Sequence, residues 1–392
     1  MTRPSRRLLR GACTALAACL ATAALTQPLS AAADTLVLQG GTRLEGVVLA
    51  REGEGTTGTV RVLLPAGQEL VLAAADVAQV LPDPDAPQGE QVVRFRGGKG
   101  APEGLQVALL HLVHGTTGRR VDLVGAVHIA DLAYYREVQR LLEAADLVLY
   151  ELVKPEGVDD VEAQPKDEGG HPLRDFQRRM AGWFGFAHQM EGIAYDRPHF
   201  VHADMTMEQF MAAAQSMGGS PLTRMLGLPG KGEAATPAPG GTPGGSPPPS
   251  TAPPAGPDPA LGMQVKMLEG LLRGMGIDDP RRGPGVRRSL KSMLGRMMGS
   301  MSTRLGALLG SEASELVVER RNAVALERLA QAPEAARSVA IFYGAAHLPD
   351  LEQRLLVQGY RRAGGRWLLA WDLAAAPATP APPAQPAAPA AR

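Results

Sequence analysis

Three observations predict an α/β (α+β) chain. Strand-like and helix-like patterns alternate, one octapeptide recurs, and a block of short alternating strands comes first. The expected architecture is a main domain over 92–374. Its mixed central sheet is built from two pseudo-repeated strand–Gly-x-x-His–helix–strand halves around a helical middle, and a small SH3-like β-barrel over 34–82 precedes it.

The chain of 392 residues opens on a targeting pattern. Arg3, Arg6, Arg7 and Arg10 precede an Ala/Leu-rich stretch, Ala15 to Leu25, too short to span a bilayer comfortably. Ala31-Ala32-Ala33 fits a signal-peptidase site, making 1–33 a signal peptide and Asp34 the mature start. Leu16-Ala17-Ala18-Cys19 offers a second route, a lipoprotein anchored through Cys19, and an uncleaved anchor is the third. The expected location is outside the cytoplasm, periplasmic or extracellular. Both cysteines, Cys13 and Cys19, fall in this segment, which excludes disulfides, zinc fingers and cysteine nucleophiles from a soluble mature protein. Loss of 1–33 removes four arginines and no acid, taking the formal net charge from 0 to −4, so no nucleic-acid partner is suggested.

From Asp34, one hairpin turns at Gly40-Gly41 and a second at Pro65-Ala66-Gly67, and Ala75–Pro82 closes the small module. Residues 83–91 form a polar linker. In the main domain, 105–113 and 121–130 read as strands, 131–145 as a helix with Leu132, Tyr135, Val138, Leu142 and Ala145 on one face, and 146–152 as a buried strand. A strand–helix–strand unit of this kind implies parallel pairing. The middle is helical and Met-rich, from Thr206 to Met217 and from Leu261 to Leu309. Its methionines read either as flexible core filler or as a lipid- or peptide-facing groove. Between these stretches, 228–260 is too rich in Pro and Gly to pack and is expected to be disordered, as is the Ala/Pro tail 375–392. A helix over 314–330, a strand over 338–347, a helix from Leu348 and a strand over 366–373 complete the domain.

The repeat carries the functional argument. Gly125-Ala126-Val127-His128-Ile129-Ala130-Asp131-Leu132 and Gly344-Ala345-Ala346-His347-Leu348-Pro349-Asp350-Leu351 share five of eight positions, each between an apolar strand and an amphipathic helix. That context puts both histidines at carboxyl ends of strands, the edge where open α/β sheets bind ligands. Gly125 and Gly344 would let the backbone turn sharply or approach a ligand or cofactor. Asp131 and Asp350 would complement helix dipoles. Glu151, at the end of the neighbouring apolar strand, is costly there unless paired or liganded, and is otherwise an exposed strand-end carboxylate. On helix 314–330, Val318, Asn322, Ala325 and Leu329 form one stripe with Arg321 beside it; these polar groups need either structural partners or the crevice itself. His202 and Asp204 form a second candidate ligand pair, whereas His111, His114, His171, His188 and His199 read as surface or loop residues.

An early Gly-x-x-His, a Tyr-Glu after the next strand, a later Glu-Arg-Asn-type helix and a late Gly-x-x-His followed by Leu-Pro together resemble the Tiki/TraB/GumN family of metal-dependent hydrolases, over Val92 to Leu373 without the insertion. The resemblance implies His128, Glu151 and His347 as metal-site or catalytic residues, with Arg321 and Asn322 as anion- or carbonyl-binding neighbours. The doubled arginine of Glu319-Arg320-Arg321-Asn322 leaves Arg320 as an alternative to Arg321, and Ile129 replaces the small polar residue common in relatives. Peptides or proteins are the substrates implied, and esters come next. Mn2+ or Co2+ is the implied ion, ahead of Zn2+. The competing readings are a metal- or ligand-binding envelope protein without turnover and a metal-free, esterase-like hydrolase.

Overall fold

The computed structural model describes residues 34–53, 57–65, 67–98, 101–159, 180–216, 259–301 and 314–373. The expected signal 1–33, insertion 228–260, tail 375–392 and His171 lie almost wholly outside these residues.

The amino-terminal region forms two three-stranded antiparallel sheets. One is β1 (Thr35–Leu38), β2 (Arg43–Glu45) and β6 (Val77–Leu81); the other is β3 (Val47–Glu52), β4 (Thr59–Leu63) and β5 (Glu69–Ala73). Both expected hairpin turns are present, and Gly41 and Gly67 adopt positive φ there. Alternation along β3 and β4 buries Val47, Leu49, Val60 and Val62.

The main domain is mixed α/β around a seven-stranded sheet. In spatial order it runs β13 (Phe200–His202), β11 (Leu147–Tyr150), β14 (Ser338–Gly344), β9 (Arg120–Ala126), β8 (Ala101–His114) and β15 (Tyr360–Asp372). The first four are parallel, and β8 is antiparallel to both β9 and β15. β8 is long enough to hold β15 on one edge, with β9 and then β7 (Val93–Gly98) on the other. The parallel strands are nearly continuous apolar runs, buried on both faces, with α1 (Leu132–Glu143) packed near β15 and α6 (Leu348–Val357) near β9 and β15. Between β11 and β14 in the chain come a two-residue strand β12 (Ala187–His188), a single helical turn Gln189–Gly192, and helices α2 (Met207–Ser216), α3 (Pro259–Gly274) and α4 (Gly283–Met301). A π-helical turn, Glu315–Glu319, leads into α5 (Arg320–Ala330). Among the described residues no helix is long and apolar enough to cross a membrane.

Several expectations need correction. His111 is not a surface residue: it is buried, and its Nδ1 lies 2.8 Å from Asp122 Oδ1. Asp131 does stand at the amino end of α1 as expected, and its carboxylate also accepts from Lys291 Nζ at 3.0 and 3.3 Å and from the Asp372 amide. Leu132 stays exposed and Tyr134 takes its place in the core. The last strand begins at Tyr360 rather than 366, because Gly364 and Gly365 sit within a strand and not in a turn. A Cβ on Gly364 would come 2.6 Å from Val47 Cγ1, so the glycine lets β3 lie against the edge strand.

Candidate functional site

Register explains why distant residues meet. β9 and β14 pair directly, with Gly344 opposite Ala126, and β11 pairs with the far side of β14, with Tyr150 opposite Phe342. β13 ends in step with β11, His202 opposite Tyr150. Four parallel strands therefore finish at one edge, and the residues just beyond them are His128, Glu151, Asp204 and His347.

His347 follows β14 in a single 3-10 turn, Ala345–His347, and is only 4% exposed. Its Nδ1 lies 2.7 Å from Asn322 Oδ1, and the Asn322 amide donates to the His347 carbonyl at 3.2 Å and to Asp350 Oδ2 at 2.8 Å. With its NH2 group spent on two acceptors, Asn322 offers its oxygen to the ring, which fixes the proton on Nδ1 and leaves the lone pair on Nε2. That Nε2 is 3.7 Å from Glu151 Oε1. Burial pushes the His347 pKa below its ordinary 6.5 despite the attraction of Glu151, so the ring is neutral at neutral pH.

Glu151 is held from two sides. Arg321 Nη2 donates to Oε1 at 2.6 Å, and the Gly344 amide donates to Oε2. Burial works to raise its pKa, but His347, Arg321, the Gly344 amide and His128 together hold it below 4.5. Gly344 has a specific task here: a Cβ would sit 3.2 Å from Glu151 Oε2 and crowd that hydrogen bond. Gly125 serves packing instead, since a Cβ there would meet Val107 Cγ1 at 2.6 Å and the Ala108 carbonyl at 2.9 Å.

Of the two candidate arginines, Arg321 faces the centre, whereas Arg320 is exposed and pairs with Glu315 at 2.8 Å. Asp204 grips Arg321 in a fork, Nε to Oδ1 at 2.9 Å and Nη2 to Oδ2 at 2.6 Å. Asp204 is thus the site residue whose role the sequence misassigned. The expected His202–Asp204 pair does not form a second ligand set, because His202 Nε2 lies 2.6 Å from the Leu152 carbonyl. The signal was present all the same, as an acid just past a short strand that ends beside β11. The π turn before α5 is the other unexpected feature; such turns accommodate one extra residue and often mark functional positions.

His128 differs from His347. Its ring is exposed, and its link to the cluster is electrostatic, through Glu151. Its backbone is well held: Tyr134 and Tyr135 hydroxyls donate to the Gly125 and Val127 carbonyls, and the Gln189 amide donates to the His128 carbonyl at 2.9 Å.

No family model, curated protein or solved structure matches this chain. The site must be argued from its own groups: a neutral imidazole with a free lone pair, an ionised carboxylate beside it, a buried arginine, and an exposed histidine at the rim. Among the described residues, no three His, Cys, Asp or Glu side chains are drawn close enough together to hold a metal ion. The donor chemistry nevertheless suits one. Two imidazoles and a carboxylate are a familiar open catalytic set, and His347 already has its ring fixed through the opposite nitrogen by Asn322.

Proposed function

We propose that this chain is an exported hydrolase of the Tiki/TraB/GumN type acting on peptide bonds. Its centre would be Glu151, His347 and His128, supported by Arg321, Asn322 and Asp204. The observation that carries the reading is the neutral His347, with Nδ1 on Asn322 and Nε2 3.7 Å from the ionised Glu151. That pair can take a proton from water and stabilise the cation that results. Residues 34–82 are read as an SH3-like module in front of the hydrolase domain, and the two Gly-x-x-His halves as a pseudo-repeat.

His347 Nε2, Glu151 and His128 would hold a divalent ion, Mn2+ or Co2+ ahead of Zn2+. Such an ion lowers the pKa of bound water to about 7 and polarises a carbonyl. The residues supply the rest. Asn322 orients His347, Asp204 fixes Arg321, and Arg321 keeps Glu151 ionised and in place beside His347.

One observation favours a metal-free scheme. Arg321 Nη2, 2.6 Å from Glu151 Oε1, brings a fixed positive charge to the same oxygen that faces His347. A dication would meet that charge. In this scheme His347 is the general base, Glu151 steadies its imidazolium, and esters are the natural substrate.

The deciding experiment measures metal content by mass spectrometry after reconstitution with Mn2+, Co2+ or Zn2+, beside turnover of peptide and ester libraries. Wild type and the variants His128→Ala, Glu151→Gln and His347→Ala are compared. Joint loss of ion and turnover in all three supports the metal centre. Turnover by metal-free wild type selects the second scheme. An ion or ligand bound with no turnover leaves a binding protein and rejects both.

A further inference from the structure

Helix α3 presents an apolar face that the core does not use. Its core contacts come from Val265 and Leu272, both buried. Met263, Met267 and Leu271, with Met275 in the turn just past the helix, recur at every fourth position, 66%, 71%, 61% and 47% exposed, with Leu268 beside them at 42%. Exposed residues of this size in one line mark an interaction surface more often than a scattered single does. At 3.6 residues per turn, Lys266 and Arg273 stand about a sixth to a quarter of a turn to one side of Met263, next to the small Gly270 and Gly274.

Charge identifies the partner. Residues 259–301 carry eight Lys or Arg against three Asp or Glu. Two of those three acids are engaged locally. Asp279 accepts the Arg281 and Arg282 amides at 2.7 and 2.8 Å, and Asp278 accepts from Trp183 Nε1 at 2.9 Å and pairs at the surface with Arg273 Nε at 3.9 Å. Arg281, Arg282, Arg288 and Arg296 are exposed, the last two each 3.4 Å from Glu103, while the chain after residue 33 is otherwise acidic overall. An apolar stripe edged by cations, within a basic segment of an acidic chain, is the pattern that seats a helix in the headgroup layer of an anionic bilayer.

We infer that the stripe Met263–Met267–Leu271–Met275, flanked by Lys266 and Arg273, docks this chain on an anionic lipid surface. The helix that follows the stripe links it to the candidate centre: Arg287 on α4 donates to the Ile277 carbonyl, just past the stripe, at 2.8 Å. Lys291 on α4 bonds Asp131, three residues past His128, and also the Asp372 carbonyl at 3.0 Å. Docking would thus set how the His128 loop faces the membrane, whether or not the proposed hydrolysis is correct.

The test places a reporter in the stripe. Full-length Met267→Trp is mixed with phosphatidylglycerol or phosphatidylcholine vesicles whose acyl chains carry bromine, with Val357→Trp, exposed elsewhere on α6, as the control. Bromine quenching should be at least about twofold stronger for Met267→Trp on phosphatidylglycerol than on phosphatidylcholine, and absent for Val357→Trp. Adding Lys266→Glu and Arg273→Glu should erase the lipid preference, as should high salt. Unquenched Met267→Trp, equal quenching at both positions, or a solution dimer that Leu271→Glu dissolves would overturn the proposal, the last by assigning the stripe to a second copy. Thermal melts matching wild type show that the variants are folded.

Discussion

The two Gly-x-x-His turns look alike in sequence yet sit in opposite surroundings. After β14, His347 is buried, its ring fixed by Asn322 and edge-on to Tyr343 with centroids 5.2 Å apart. After β9, His128 is exposed, and only its backbone is held. Strand pairing brings both to one edge, but the helices behind them decide what each can do. α5 supplies Asn322 and Arg321 to one turn, whereas α1 supplies two tyrosine hydroxyls to the backbone of the other. The same motif thus yields a buried imidazole with a fixed ring on one side and an exposed imidazole on the other.

The sharpest way to break this contrast is at Arg321. Arg321→Ala leaves Asp204 and Glu151 buried without their cation, and should cost about 3–5 kcal/mol and abolish turnover. Arg320→Ala removes an exposed pair and should cost under about 1 kcal/mol. Denaturant melts of both variants decide which arginine belongs to the site.

The histidines come next. Both alanine variants should lose activity, but His347→Ala should also lose about 1–3 kcal/mol, since it strands the buried Asn322 oxygen. His128→Ala should melt like wild type. Equal melting points would show that the two turns are energetically equivalent and remove the basis of the comparison.

A third test uses pH. The folded pKa of His347 is depressed, so its contribution to stability is full above 6.5 and is lost as pH falls through the folded value. With His347 as base, kcat/KM should rise with pH through that same depressed value and be level by neutrality. Glu151→Gln removes a neighbour that raises the pKa of His347, so residual activity should reach its plateau at still lower pH. A wild-type midpoint at or above 6.5 contradicts a buried neutral base.

The glycines separate packing from chemistry. Gly125→Ala, which drives a methyl against Val107 and Ala108, should destabilise by about 1–3 kcal/mol. Gly344→Ala should change stability less and turnover more, since its methyl meets Glu151 Oε2 at 3.2 Å.

Much of this fold was legible in sequence because buried parallel strands are continuous apolar runs and the helices have clear faces. Strand-end placement of His128, Glu151 and His347 followed from those patterns. What was not legible depended on partners far away in the chain. His111 reads as a surface or loop residue until Asp122 lies opposite it across β8 and β9. Asp204 and Arg321 are 117 residues apart, and neither local pattern points to the other. The start of β15 reads as a loop, since Arg361, Arg362, Gly364 and Gly365 lack strand propensity; the approach of Val47 explains glycine at 364, and that of the Leu109 carbonyl explains it at 365.

The short pairing beside His128 has a kinetic consequence. β10 (Ile129–Ala130) meets β12 over two residues only, Ile129 with His188 and Ala130 with Ala187. Beneath it, β9 and β14 share seven paired positions in the middle of the sheet. Amide protons at 121–126 and 339–343 should therefore exchange only through global opening, while those at 129–130 and 187–188 escape through local excursions costing far less. One histidine should thus rest on the slowest-exchanging part of the molecule, and the other beside a two-residue pairing that opens without unfolding the sheet.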